Sequence, residues 1–230
     1  LCYDDITEQK AHAEFDKFPW ARVYRIPEIS QNHLFEGVMY QTELMKVYDE
    51  WKDKKYVGTV GYNMFDRIKT SLVIVGVNIE DYINYIIGRI ETPDDFEFVG
   101  FITIIRDMWD HPPYCKQIMR DLVFKNAKIL NKKYYVWDKI DNGKPAYYSN
   151  YWMASPNTML KYIHYFNTRW LPALESHNLI WTNALYNGNL SREKLLKLSN
   201  GRCDYYPLHT FINERLPNIY FRILNVKEKP

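Results

Sequence analysis

Glu43-Leu44-Met45-Lys46-Val47-Tyr48-Asp49-Glu50-Trp51-Lys52 runs within a few residues into Tyr56-Val57-Gly58-Thr59-Val60-Gly61-Tyr62-Asn63. Leu34, Phe35, Val38, Leu44, Val47, Tyr48 and Trp51 fall on one stripe of a helix over residues 34–52, because side chains three and four apart share a helical face. Residues 56–60 form a short apolar run closed by a glycine, the pattern of a buried strand. A helix feeding a buried strand is half of an alternating layout, so the flanking segments decide the fold.

Upstream, residues 1–3 read as the end of a strand, Asp4-Asp5 as a helix start, and the helix runs to about Asp16. A second strand over residues 21–26 stops at Pro27, which completes a βαβ opening. Downstream, the pattern predicts strands at 71–77 and 96–101, helices at 79–90 and 113–125, and strands at 134–138 and 146–154. Ser155 followed by Pro156 is an N-cap with proline at the first helical position, opening a helix to about Leu174; Ser191 caps a short helix, and residues 208–216 are helical. This alternation predicts one α/β domain, with a central, mixed but mainly parallel sheet flanked by helices. No internal repeat or Ser/Gly linker divides the chain.

The 230 residues suffice for one sizeable core. With 47% hydrophobic and 25% charged residues the composition is globular. Its 30 Lys and Arg against 28 Asp and Glu leave a formal charge of +2 with the signs interspersed, which excludes the basic footprint of a nucleic-acid partner. Cys2, Cys115 and Cys203 lie far apart and form no CxxC pair, arguing against a disulfide framework or a zinc site and for a reducing, cytoplasmic compartment. No apolar run approaches the roughly 18 to 20 residues of a membrane span, so a soluble protein is expected. The chain opens at Leu1 inside an expected strand, which points to a domain of a longer polypeptide.

Ligands of such sheets gather at the carboxyl ends of the strands. That rule selects Tyr3, Asp4 and Asp5; Gly61, Tyr62 and Asn63; and Asn150, Tyr151 and Trp152. The loop and helix holding Tyr205, Tyr206, His209, Glu214 and Arg215 join them. Each has a structural alternative. Asp4 and Asp5 serve equally as helix caps, and Glu43 pairs with Lys46 on a helix surface or stands as a site carboxylate. Asn150 and Trp152 serve strand packing or binding, His209 is a structural histidine or a catalyst, and Glu214-Arg215 is an ion pair of the last helix or a ligand contact. Asp110-His111-Pro112-Pro113 is a turn or an acid/base loop.

The block Glu43-Leu44, Tyr48, Trp51-Lys52, Tyr56-Val57-Gly58 and Tyr62 resembles the "E-L…Y…W-K…Y-V-G…H-Y-R-R" region of bacterial capsular and exopolysaccharide-type glycosyltransferases. Asn150-Tyr151-Trp152-Met153-Ala154 resembles that family's "N-x-F-x-M" strand, and Ile212-Asn213-Glu214-Arg215-Leu216 its "S-E-R-L" helix. Cys2-Tyr3-Asp4-Asp5, Pro19-Trp20-Ala21-Arg22 and Arg25-Ile26-Pro27 resemble glycosyltransferase domains of large algal viruses, the chloroviruses.

The resemblance implies a GT-A-like, Rossmann-like domain. Its nucleotide-binding half would cover residues 1–100 and its acceptor half residues 101–230. It also implies a nucleoside-diphosphate sugar donor, such as a UDP-hexose or UDP-rhamnose, and a glycan acceptor, such as that of a viral capsid glycoprotein. Other transferase domains of the same polypeptide would be partners. Donor contacts are expected from Tyr3, Asp4, Asp5, Tyr62, Asn63, Asn150, Trp152 and Arg215, and a catalytic base from Asp110, His209 or Glu214, with Arg67, Lys69 and Arg202 as further sources of positive charge. The family's metal-binding Asp-x-Asp is replaced by Gly61-Tyr62-Asn63, so a manganese or magnesium ion would need other carboxylates, such as Asp4, Asp5 or Asp138. The alternative is a glycan-binding or scaffolding domain that keeps the fold without turnover, and 20 Tyr, 11 Phe and 7 Trp would suit sugar stacking.

Overall fold

A computed structural model describes residues 1–28, 36–72, 78–92, 97–100, 103–104, 117–118, 121, 146–147, 151–177, 191–193, 196, 208–223 and 228–229. The expected strand at 134–138, residues 73–77 and most of the expected helix at 113–125 lie outside the described residues.

Backbone hydrogen bonds at the start of the chain set the architecture. Cys2 N donates to Tyr24 O at 3.1 Å and Ile26 N to Cys2 O at 2.9 Å, a parallel bridge between Cys2 and Arg25. On the other side Leu1 N donates to Val60 O at 2.7 Å, and Tyr62 N donates to Leu1 O at 3.0 Å. A residue that donates to position j−1 and accepts from j+1 is paired in parallel with j, here Gly61. Residues 1–2 therefore lie between two segments that run in their own direction.

The sheet continues outward from β1 (Val57–Gly58), which pairs antiparallel with β5 (Trp152–Ala154) in the register Val57↔Ala154 and Gly58↔Met153. β5 pairs antiparallel with β2 (Phe98–Gly100), and β2 pairs parallel with β6 (Glu228–Lys229). Followed through these pairings, β5 runs against both of its neighbours, while residues 1–2, 24–26, 57–62, β2 and β6 share one direction. A separate antiparallel pair joins β3 (Thr103–Ile104) to β4 (Ala146–Tyr147).

Helices cover both faces of this sheet. Because strand side chains alternate, Trp152 and Ala154 of β5 and Phe98 of β2 face one way and Met153 and Val99 the other. The first face packs on α2 (Glu36–Lys46), α3 (Tyr48–Trp51), α6 (Pro156–Tyr165), α7 (Leu171–Glu175) and α8 (Leu208–Ile223), through Leu44, Trp51, Tyr162, Leu174 and Phe221. The second packs on α1 (Asp5–Phe15), α4 (Met64–Leu72) and α5 (Ile79–Glu91), through Ala11, Phe15, Met64, Ile68 and Ile86. Both faces being covered by helices accounts for strands that carry no alternation of polar residues.

Several elements differ from the sequence pattern. The expected helix over 34–52 breaks at Val47 into α2 and α3; there the Leu44 carbonyl accepts from Val47 N at 3.3 Å and from the buried Trp51 indole at 2.8 Å. Ser71 and Leu72, expected to open a strand, close α4, whose Met64, Phe65 and Ile68 follow a helical period into the core. The expected strand over 146–154 is two strands in different sheets, β4 and β5. The helix opened by Ser155 continues through a π-helical turn, Phe166–Trp170, into α7. Pro172 explains that turn, since its ring cannot sit against the carbonyl four residues back and the wider turn moves it away.

Gly58 sits where β1 meets β5 at closest approach: a Cβ there would lie 2.4 Å from the Trp152 carbonyl oxygen, a backbone atom. Gly58→Ala should therefore part the two strands and lower stability by about 1–3 kcal/mol, the usual cost of overpacking a core. Urea unfolding checks this, and an unchanged midpoint would mean that β1 and β5 are not packed in this register.

Candidate functional site

From residues 1–2 the chain passes through α1 to the neighbour on one side, residues 24–26, and returns much later on the other side as residues 60–62. The strand order thus reverses at residues 1–2, and a crevice is expected at the carboxyl ends of the two segments that part there.

Tyr3 and Tyr62 leave the sheet at those ends and meet edge to face, with ring centroids 6.4 Å apart and planes at 88°. The Tyr3 hydroxyl lies 2.7 Å from that of Tyr40 on α2. Half-buried Asn63 follows, its Oδ1 only 3.3 Å from where a Cβ on Gly61 would stand. Asp4 begins α1 in a reciprocal cap: its carboxylate accepts from Thr7 N at 2.7 Å, while Thr7 Oγ1 accepts from Asp4 N at 3.0 Å. The hydrogen bonds from Thr7 hold the Asp4 carboxyl below the ordinary carboxylate value. Asp5 is paired at the surface with Arg25, at 2.5 Å, and Arg25 also reaches Glu8 at 3.0 Å.

The sequence thus selected a group, Tyr3, Asp4, Tyr62 and Asn63, that stands at one end of adjacent segments. Phenol faces, phenolic hydroxyls, an amide and an exposed carboxylate are suited to stacking and hydrogen bonding a polar, planar ligand. A hard divalent cation would ask for more anionic oxygen, and among the described residues no group of three or more His, Cys, Asp or Glu could hold a metal ion. One Asp4 oxygen is already committed to the cap and Asn63 offers only a neutral carbonyl.

Other expected site residues stand elsewhere. Trp152 is a core residue on β5, packed against Phe98, Tyr162 and Phe221, and its Nε1 has no hydrogen-bond partner among the described residues. Arg215 on α8 is 1% exposed, Glu214 beside it is half-buried, and His209 lies in the first turn of the same helix. Asp110, Asn150, Asp138 and Arg202 lie outside the described residues, as do the side chains of His209 and Arg67. Lys69 is an exposed neighbour of Asp66 at 4.0 Å.

Glu43, weighed as a helix-surface pair or a site carboxylate, is 1% exposed and accepts from Tyr24 Oη at 2.9 Å and from Lys46 Nζ at 2.6 Å. Buried Asn213 accepts from the Trp170 indole at 3.2 Å. The Glu43 and Lys46 spacing signalled the first pair; the contact of Asn213 with Trp170 depends on a distant segment.

A cleft of about 670 Å³ lies at the opposite, amino-terminal side of the same segments, between residues 19–24 and 54–60. No protein-family model matches the chain, and neither does any curated protein or any solved structure.

Glu14 near the end of α1 has one buried oxygen with no partner among the described residues, and burial, then the charge of Asp66, push its carboxyl above the ordinary 4.5. The raised value means that the fold penalises the charged form at neutral pH and that the penalty disappears as pH falls below 4.5. Glu14→Gln should accordingly stabilise the protein at pH 7, with the gain vanishing near pH 3.5. Urea midpoints at the two pH values check this; an equal gain at both would exclude the carboxylate charge as its cause.

Proposed function

We propose that the chain is a glycosyltransferase domain of GT-A type, which transfers a sugar from a nucleoside-diphosphate donor, a UDP-sugar, to a glycan. The observation that carries this is the reversal of strand order at residues 1–2, with Tyr3, Asp4, Tyr62 and Asn63 at the carboxyl ends beside it. A nucleotide is the kind of ligand that such a crevice holds: an aromatic base to stack, a ribose to meet hydrogen-bond acceptors, and phosphates near the start of a helix. In this proposal Tyr62 and Tyr3 contact the base, and Asp4 with Asn63 reaches the ribose. The sheet direction adds support, because one reversed strand in an otherwise parallel ladder, with helices on both faces, suits a nucleotide-binding α/β domain.

The catalytic base in this proposal comes from Asp110, His209 or Glu214, and the positive charge for the leaving diphosphate from Arg and Lys side chains rather than from an Asp-x-Asp metal. The acceptor in the proposal is a glycan of a capsid glycoprotein, and neighbouring transferase domains of one polypeptide would extend it. A second reading, a glycan-binding domain without turnover, is favoured by Gly61-Tyr62-Asn63 at the Asp-x-Asp position. Among the described residues no helix is long and apolar enough to cross a membrane.

Calorimetric titration with UDP, GDP and CMP, with and without manganese, tests the proposal. Selective UDP binding is expected, and Tyr62→Ala should weaken it at least about tenfold, since base stacking on an aromatic contributes about 1–3 kcal/mol. Absence of binding by any nucleotide would overturn the transferase proposal in favour of the glycan-binding one.

A further inference from the structure

The cleft on the amino-terminal side of the sheet has the form of a missing strand. Its two walls are backbone segments, residues 19–24 and 54–60, and Leu1 also lines it. Leu1 and Cys2 already pair with the continuation of both walls, Leu1 with residues 60–62 and Cys2 with residues 24–26. In a parallel ladder the alternation carries on by residue number. The next hydrogen bonds toward the amino-terminal side would therefore use Tyr24 N and Arg22 O on one wall, and Val60 N and Gly58 O on the other. Among the described residues no backbone acceptor is met by Tyr24 N or Val60 N.

Apolar side chains of both helix layers reach the cleft as well. Ala11 and Phe15 of α1 line one side, and Leu44 and Trp51 of α2 and α3 the other. Charged side chains also line it, but Glu43 is already bonded to Tyr24 and Lys46, and Arg22, Glu50, Lys54, Lys55 and Glu91 are exposed; between the apolar side chains of the two helix layers run two rows of backbone groups, which is what the central strand of a layered sheet requires. The Arg22 to Glu50 ion pair is formed by exposed side chains of one wall and α3.

We propose that this cleft is a strand slot, holding an extended segment of polypeptide with apolar side chains on both faces, parallel to both walls and leading into Leu1. The proposal rests on the register of the walls and the character of the two faces, and it is independent of the function assigned to the crevice. A strand of about five residues matches the run 56–60 and is of ordinary length.

The test compares the full chain carrying either Val-Thr-Val-Ile-Val or Gly-Ser-Gly-Ser-Gly ahead of Leu1. The first extension should raise the thermal midpoint over the second by more than about 5 °C, as several newly buried apolar side chains would. Amide exchange at Tyr24 and Val60 should slow at least tenfold with the first extension only. Equal midpoints together with unchanged exchange at those two amides would overturn the slot. Slowed exchange at both amides would support it even if poor solubility obscured the melting comparison.

Discussion

Two backbone ladders meeting on residues 1–2 hold this molecule together. Each ladder is short, but between them they fix the direction of the segments on either side, and direction fixes everything downstream. With residues 24–26 and 60–62 parallel to residues 1–2, the crossover through α1 must lie on one face of the sheet, and α2 and α3 arrive on the other. The interior then divides into two apolar layers, with Tyr3, Asp4, Tyr62 and Asn63 at one end of the segments and the cleft at the other. Gly58 extends the constraint by letting β1 approach the backbone of β5 more closely than any side chain would permit.

That geometry also separates two kinds of concavity that composition alone would confuse. At the carboxyl ends, side chains reach outward from turns and a helix start, and these are phenols, an amide and a carboxylate. At the amino-terminal side, aliphatic and aromatic side chains of both helix layers line the cleft beside rows of backbone groups, together with charged side chains that are exposed or, as Glu43, already paired. A ligand with its own hydrogen-bonding edges suits the first. A strand, which brings a complete row of donors and acceptors together with apolar side chains, suits the second.

Several local elements were legible in the sequence, and for physical reasons. Asp4 and Ser155 announce helix starts through side-chain acceptors that reach back-bone amides three residues on, and both do so. Leu44, Val57 and Trp51 were placed in the interior by period and hydrophobicity, and they pack in one cluster. What the local pattern missed depends on distant partners. The break at Val47 accompanies the burial of one indole, the split of 146–154 follows pairing with β2 and β3, and α4 extends through Ser71 and Leu72 where the local run reads as a strand. The candidate residues divided along the same line: Tyr3, Asp4, Tyr62 and Asn63 stand together where the rule about strand ends put them, whereas Trp152 is packed in the core, and the hydrogen bond of buried Glu43 needed Tyr24 from another segment.

The central claim is that a nucleotide occupies the crevice where strand order reverses. Amide chemical-shift mapping of the isotopically labelled chain during a UDP titration tests it most directly. The account predicts saturable shifts concentrated at Tyr3, Asp4, Tyr62 and Asn63. Shifts confined to residues 20–24 and 56–60, or none at any UDP concentration, would contradict it.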